Sequence, residues 1–480
     1  MTDTDLQKWV LFVTAARGLE PQLTDEVGRL GATATKPGRG GVQCEVTLDA
    51  LYAICLNSRL ASRVLLPLGD CAAADDQALY TGCLAIDWAS HIAAGSTLAV
   101  DFASNRSQLK HTRFGAQRVK DAIVDSLREA RGERPAVDRT RPDCRINAYL
   151  LDNRAQLALD LGGSALHRRP WLAEGARPPL PSNVAAALLE KSGWPGAARP
   201  QLVSLWAQDG SLAIEASEMA SGLPAQRDRT HWGFLAWPYH QPARWSAACA
   251  AARDTPPRDQ VEVILVEPDQ RKLAVARSAA RAAGVDVSLH QADPIEWLQT
   301  ASLGSNSLIL ATPLEDCAHS DALWPALGDR LKNATSCDAG DHSHAAVLVP
   351  DLAYGKQLGL RARKRNQYWI GQDDHTLLQL PLDSEHAIDR EEADRRRSAR
   401  RVDSALARGA DALVNRIKKN QRTLGKWAKR EGIACYRLYD ADLPEYALAI
   451  DLYGDHAHIQ EYAAPSQVPS ERAAQRLDDA

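Results

Sequence analysis

The stretch from Val203 to Glu215 is where this sequence carries the residue types and spacing of a nucleotide-type cofactor site. The short run Gln201-Leu202-Val203 predicts a strand, and Leu212, Ile214, Ala216 and Met219 predict the helix that follows a tight turn. In such a strand, turn, helix unit the turn must let backbone N–H groups approach the ligand, which takes two or three glycines. Here there is one, Gly210, and around it stand Trp206, Gln208 and Asp209. A second repeat supplies a strand over Val261 to Val266, then Glu267, then a helix from Arg271 to Ala283. A carboxylate at the end of that strand is where a ribose hydroxyl pair would be accepted. A third strand, Val287 to His290, precedes Ala292-Asp293, and a fourth, Ser307 to Ala311, runs into Thr312-Pro313-Leu314-Glu315.

A second kind of chemistry is cationic. Arg106, Lys110, His111, Arg113, Arg118 and Lys120 fall in one loop and the start of a helix predicted from Ala116 to Arg128. Such side chains at a helix N-terminus suit phosphate. Farther on, His167, Arg168 and Arg169 precede Trp171, and a guanidinium beside an indole can stack on an unpaired base. Metal, serine and cysteine chemistries find no matching pattern. The nine cysteines are scattered, with no Cys-x-x-Cys pair, and Cys317 and Cys337 read as ordinary small residues. Asp338 and Asp341-His342-Ser343-His344 read as a solvated polar loop.

The elements that must position these residues belong to a chain of 480 residues, too long for one core. Hydrophobic residues make up 45% and charged residues 25%, as in a folded globular protein. No run of 18 apolar residues occurs and the start is acidic, so neither a membrane span nor a secretory signal is expected, and the chain is read as cytoplasmic. The net charge of −4 is unevenly laid out: residues 104–177 carry 15 Lys/Arg against 9 Asp/Glu, and residues 395–430 carry 13 against 2. Two basic stretches separated by a near-neutral body point to a polyanion held at two places.

In chain order, Trp9 to Thr14 reads as a strand and Leu23, Val27 and Leu30 as one face of a helix; Val42 to Val46 and Leu48 to Leu56 repeat the pair. Asn57 to Leu66 reads as a strand entering a second unit. Cys144 to Leu151 and Gln156 to Leu161 predict a hairpin through Asp152-Asn153. Strands at Ala345 to Val349 and Thr376 to Leu380 complete an α/β doubly wound sheet. Residues 413–480 open with a basic helix and continue into two strands, Ala447 to Tyr453 and His456 to Tyr462, too few elements for an independent core.

Phe12-Val13 with Arg17-Gly18-Leu19-Glu20, the run Ser58 to Arg63, Arg113-Phe114 with Gln117 to Ile123, and Leu159-Asp160-Leu161 with Leu166 to Arg169 resemble the front half of the bifunctional K/L-type methyltransferase of bacterial 23S ribosomal RNA. Leu424 to Gly432 and Tyr439 to Tyr446 are similar to the entry into its second half. The resemblance implies a ferredoxin-like unit (1–56), a THUMP RNA-binding domain (57–162), a linker (163–182), a Rossmann-like methyltransferase domain (183–382), a charged linker (383–412) and the start of a further domain (413–480). It also implies S-adenosylmethionine as cofactor, 23S ribosomal RNA as partner and methylation of a guanine at N2. By position it assigns Ser204, Gly210, Glu267 and Asp293 to the cofactor and Thr312 and Pro313 to the base.

The departures from that pattern are specific. The family's cofactor turn, Asp-Pro-Met-Cys-Gly-Ser-Gly-Thr, falls on Ser204 to Ser211, so one glycine survives of two and the leading Asp is gone. The catalytic Asn-Pro-Pro-Tyr falls on Thr312 to Glu315; Thr312 can accept one hydrogen bond, but Glu315 cannot stack on a base. The expectation is a methyltransferase fold that is weak or inactive in catalysis and serves as an RNA-binding scaffold. The alternative is an active guanine-N2 methyltransferase with an atypical cofactor turn.

Overall fold

The computed structural model describes residues 7–196, 200–253, 261–314, 318–320, 322–333, 343–383, 385–388, 410–443, 446–454 and 456–462. Its contacts divide the chain into two compact units, Met1–Ala387 and Ile388–Ala480.

The first sheet of the larger unit is built from β1 (Trp9–Thr14), β2 (Thr33–Gly38), β3 (Gly41–Val46), β4 (Arg63–Ala72), β5 (Leu98–Asn105), β6 (Cys144–Leu151) and β7 (Arg154–Asp160). Their order is β2-β3-β1-β4-β7-β6-β5, so one sheet runs without a break through both of the units expected before residue 162. Only β5 and β6 pair in parallel; the rest is antiparallel. Helices α1 (Glu20–Arg29), α2 (Leu48–Asn57), α3 (Asp76–Leu84) and α4 (Thr112–Arg131) belong to the same layer pair. Local chemistry sets their ends. Thr47 and Asp75 cap α2 and α3 by accepting from the Ala50 and Ala78 amides, and Gly132 closes α4 in the left-handed conformation at φ 73°. The β6–β7 hairpin turns on Asp152 and Asn153, both left-handed at φ 49° and 60°, the two-residue turn that the sequence predicts.

The expected strand at Asn57 to Leu66 is corrected: Asn57 ends α2 and β4 begins only at Arg63. Residues 58–62 are held instead by the buried Glu26, which accepts from Ser58 Oγ (2.5 Å), the Arg59 amide (2.8 Å) and the Leu60 amide (3.3 Å).

The second sheet contains β8 (Gln201–Leu205), β9 (Glu262–Val266), β10 (Ser288–His290), β11 (Leu308–Ala311), β12 (His344–Val349), β13 (Lys364–Ile370) and β14 (Asp373–Pro381). Its order is β10-β9-β8-β11-β12-β14-β13, parallel from β10 to β12 with β14 and β13 added antiparallel. Alternate residues face opposite layers. Leu202, Val263, Leu265, Leu308 and Leu310 pack with α5 (Ser182–Lys191), α6 (Ser211–Ala220) and α8 (Gln270–Ala283) into a core continuous with that of the first sheet. Val203, Leu205, Ile264, Val266, Ile309 and Ala311 pack on the other face with α9 (Pro294–Thr300) and α10 (Leu323–Asn333). Two short helices, α7 (Pro242–Arg253) and α11 (Leu352–Gln357), complete the layers.

The smaller unit holds α12 (Asp411–Glu431) and an antiparallel sheet of β15 (Cys435–Asp440), β16 (Leu448–Tyr453) and β17 (His456–Glu461). The sequence reading had only two of these strands. Leu413, Leu438, Tyr439, Tyr446, Leu448 and Ile450 form a small core of their own, where too few elements for one were expected.

Candidate functional site

In a sheet ordered this way the connections run one way from β8 to β9 and the other way to β11, so the crevice beyond the carboxyl ends of β8 and β11 is the topological switch point. The turn after β8 carries three left-handed residues, Trp206 (φ 53°), Gln208 (φ 55°) and Gly210 (φ 84°). The indole of Trp206 does not stand in solvent. It is 6% exposed and packs in the cluster that includes Leu205, Val266, Leu298 and Ala311. Across the crevice the Thr312 amide donates to the Leu205 carbonyl (3.1 Å) and Thr312 Oγ1 to the Trp206 carbonyl (3.4 Å).

The turn also satisfies itself. Asp209 accepts from the Ser211 amide at 3.2 Å and from Ser211 Oγ at 3.0 Å, which sets a carboxylate on the first turn of α6. Burial raises the pKa of Asp209. Gly210 is required by packing: a Cβ there would lie 2.8 Å from Ala276 Cβ on α8. Glu267 is buried, and its oxygens accept from the Gln208 amide at 2.8 Å and the Asp269 amide at 3.1 Å. Burial outweighs these bonds and raises its pKa. Lys272 Nζ donates to Gln208 Oε1 at 2.6 Å, tying the turn to α8.

Asp293 is exposed and caps α9, accepting from the Ile295 amide (2.8 Å) and the Glu296 amide (3.1 Å). Ser204 is fully buried, and its hydroxyl has no hydrogen-bond partner. Thr312 and Pro313 are buried, whereas Glu315 lies outside the described residues. Among the described residues no group of His, Cys, Asp and Glu could hold a metal ion; Asp338, Asp341 and His342 lie outside them, as do Cys317 and Cys337.

The cationic residues divide into two sets. Lys110, His111 and Arg113 are exposed at the start of α4, beside Phe114 at 44% exposure, with no ion pair among the described residues. Arg106 pairs with Asp152 at 2.7 Å, Lys120 with Asp121 at 2.7 Å, and Arg118 faces Asp76 at 3.3 Å with its guanidinium 4.6 Å from the Tyr80 ring. The reading of Arg169 as an RNA contact is corrected. Its side chain is fully buried and donates to Glu215 Oε1 on α6 at 2.5 Å, to the Leu166 carbonyl and to the Arg59 carbonyl. Trp171 is buried as well, so no exposed guanidinium–indole pair forms there; Arg168 alone of the three reaches solvent, and His167 is half-buried.

One feature went unread in the sequence because its residues come from five strands. A groove of about 1040 Å³ on the first sheet is lined by residues that include Phe12, Gln43, Arg63, Leu65, Tyr149 and Gln156. Alternation on single strands was the only sequence signal for it.

Residues 10–65 match the RlmL ferredoxin-like domain and residues 73–160 the THUMP domain. Over its whole length the chain is 38% identical to the ribosomal RNA large subunit methyltransferase K/L of Chromohalobacter salexigens, spanning 68% of that protein. The chain belongs to the ribosomal RNA large subunit methyltransferase K/L family. The K/L proteins of Syntrophotalea carbinolica and Pseudomonas aeruginosa are each 36% identical over 97% and 98% of this chain. The chain spans 65% and 66% of the length of those two relatives. Among solved structures, SMU.472 complexed with SAH superposes with a TM-score of 0.68 at 23% identity, covering 78% of this chain and 98% of that one. TrmN from Thermus thermophilus gives 0.54 at 20% identity, covering 78% and 99%. These likenesses carry the fold: the second sheet of this K/L family member is a methyltransferase-type Rossmann-like sheet. No helix among its described residues is long and apolar enough to cross a membrane.

Proposed function

We propose that this chain binds 23S ribosomal RNA of the large subunit in the cytoplasm, and that its Rossmann-like domain is a scaffold in which methyl transfer is weak or lost. The observation that carries this reading is the buried Trp206 indole at the switch point, beside the backbone carbonyls of Leu205 and Trp206, to which Thr312 donates. The cofactor turn departs from the family pattern in its chemistry. Asp209 places a carboxylate at the first turn of α6, where an anion is disfavoured beside it, and Glu267 accepts from the Gln208 and Asp269 amides. Holding the RNA falls to the THUMP-type region, with Lys110 and Arg113 as free cations and Arg106, Arg118 and Lys120 partly committed to acids, and to Arg168 in the segment that follows it. The domain limits that go with this reading are those expected from the sequence, at residues 56, 162, 182, 382 and 412.

A second reading has its own support: identity of 36–38% to relatives named as methyltransferases, running through the Rossmann-like region. In it the chain is an active guanine-N2 methyltransferase, with Ser204, Gly210, Glu267 and Asp293 toward the cofactor and Thr312 and Pro313 toward the base. Isothermal titration of the chain with S-adenosylmethionine separates the two. The scaffold reading expects no heat of binding at micromolar donor. Micromolar affinity, together with methylation of rRNA from a strain lacking the family enzyme, would establish the second reading instead.

A further inference from the structure

The smaller unit carries a charge arrangement that the methyltransferase reading does not use. In α12, Leu413 and Ile417 pack with side chains of the β15–β16 sheet and Ala428 is also buried, so the helix is anchored by one face. The outward face presents Lys418, Lys419, Arg422, Lys426 and Lys429, all exposed. The steps from Lys419 to Arg422, Lys426 and Lys429 are three, four and three, and Lys418 lies four before Arg422, which keeps all five on one stripe of an α-helix. Among the described residues no carboxylate pairs with any of these five. The acids nearby are spent elsewhere: Asp442 accepts from Asn420 at 2.6 Å and faces Arg416 at 3.9 Å, and Glu431 pairs with Arg430 at 2.9 Å. From Lys418 to Lys429 the stripe is about 16 Å long at 1.5 Å per residue. Trp427, 39% exposed, adds a ring beside it.

We propose that α12 is a second RNA contact, a cationic rod that lies along the phosphate backbone of a double-helical segment without reading its sequence. A surface of closely spaced anions can meet all five cations at once, and a nucleic-acid backbone supplies one charge every ~1.7 Å of duplex axis. An anionic membrane fits less well, because a helix that lies on lipid inserts a free apolar face, and here the apolar face is already packed on the sheet. The proposal rests on the reading that RNA is the ligand, and not on whether methyl transfer survives.

The test uses the full chain with Lys418→Gln, Lys419→Gln, Arg422→Gln and Lys426→Gln together, which keeps helix-forming side chains and removes the charge. Affinity for a 20-base-pair RNA duplex of arbitrary sequence is measured from 50 to 300 mM KCl, beside a Lys110→Glu, Arg113→Glu variant and vesicles of anionic lipid. The expected result is at least a tenfold loss of duplex affinity near 100 mM salt and a fall of about 3.6 in the log–log salt slope, about 0.9 for each of four phosphate contacts. Coincidence of the quadruple variant with the parent in affinity and slope would overturn the proposal, as would binding to vesicles but not to duplex. If only the α4-loop variant weakens binding, the proposal fails while the RNA reading stands; if neither variant does, both fail.

Discussion

Arg169 and Glu215 meet at 2.5 Å with both side chains completely withdrawn from solvent, joining the segment after the first sheet to the helix that follows the candidate cofactor turn. Arg59 donates to the other Glu215 oxygen at 2.7 Å and reaches Glu218 at 3.3 Å, and Arg227 pairs with Glu218 at 2.6 Å. Burial works against the Glu215 carboxylate, but Arg169 and Arg59 outweigh it and hold its pKa below the usual range. Removing one member leaves buried charge without compensation. Glu215→Gln is expected to cost about 3–5 kcal/mol, read as a lower urea midpoint. A loss under about 1 kcal/mol would mean that water reaches Arg169 and that the junction is not sealed.

Trp206 offers a sharper test of the crevice. Truncating a ring packed as this one is, against Leu205, Val266 and Leu298, is expected to cost about 3–5 kcal/mol on Trp206→Ala. The variant should gain no affinity for S-adenosylmethionine, because the Asp209 carboxylate remains at the start of α6. A nearly neutral substitution that binds the donor at micromolar concentration would show that the indole lines an open site.

The α4 loop makes the RNA claim measurable. Lys110 and Arg113 are exposed and carry no ion pair among the described residues, so their charge is available to phosphate. Replacing both with Ala is expected to weaken binding to rRNA fragments uniformly across sequences and to lower the salt slope by about 2. The same change at Arg118, already over Tyr80 and facing Asp76, should move the slope less. Equal slopes for the parent and the double variant would remove this loop from the interface.

Where periodicity and local chemistry coincide, the sequence was enough. Asp152-Asn153 announced a two-residue turn, and the alternation of Cys144 to Leu151 announced the strand beside it. β13 was missed because Lys364, Arg365, Asn366 and Gln367 make it a polar edge strand, and α7 because no residue along it is fully buried. The site divides in the same way. Glycine loss at the turn is visible in one dimension, whereas the fate of Arg169 depends on Glu215, 46 positions away, and on the Arg59 carbonyl, 110 positions away. A cation in a basic run reads as surface until its partner is known.

His167 gives a pH dependence with a definite sign. Burial, followed by the charges of Arg169, Arg168 and Arg63, lowers its pKa from the ordinary 6.5 to about 4. Its Nδ1 is buried without a hydrogen-bond partner, so protonation would add a charge that nothing receives. Between pH 6.5 and 4 the unfolded chain therefore binds a proton that the folded chain refuses. The stabilisation is complete above pH 6.5 and is lost as pH falls through that window, by about 1–3 kcal/mol for a half-buried group. His167→Gln should flatten this part of the curve of urea midpoint against pH while leaving the neutral-pH value close to that of the parent. A parent and variant whose curves run parallel from pH 7 to pH 4 would show that the imidazole is protonated as readily in the folded chain as in the unfolded one.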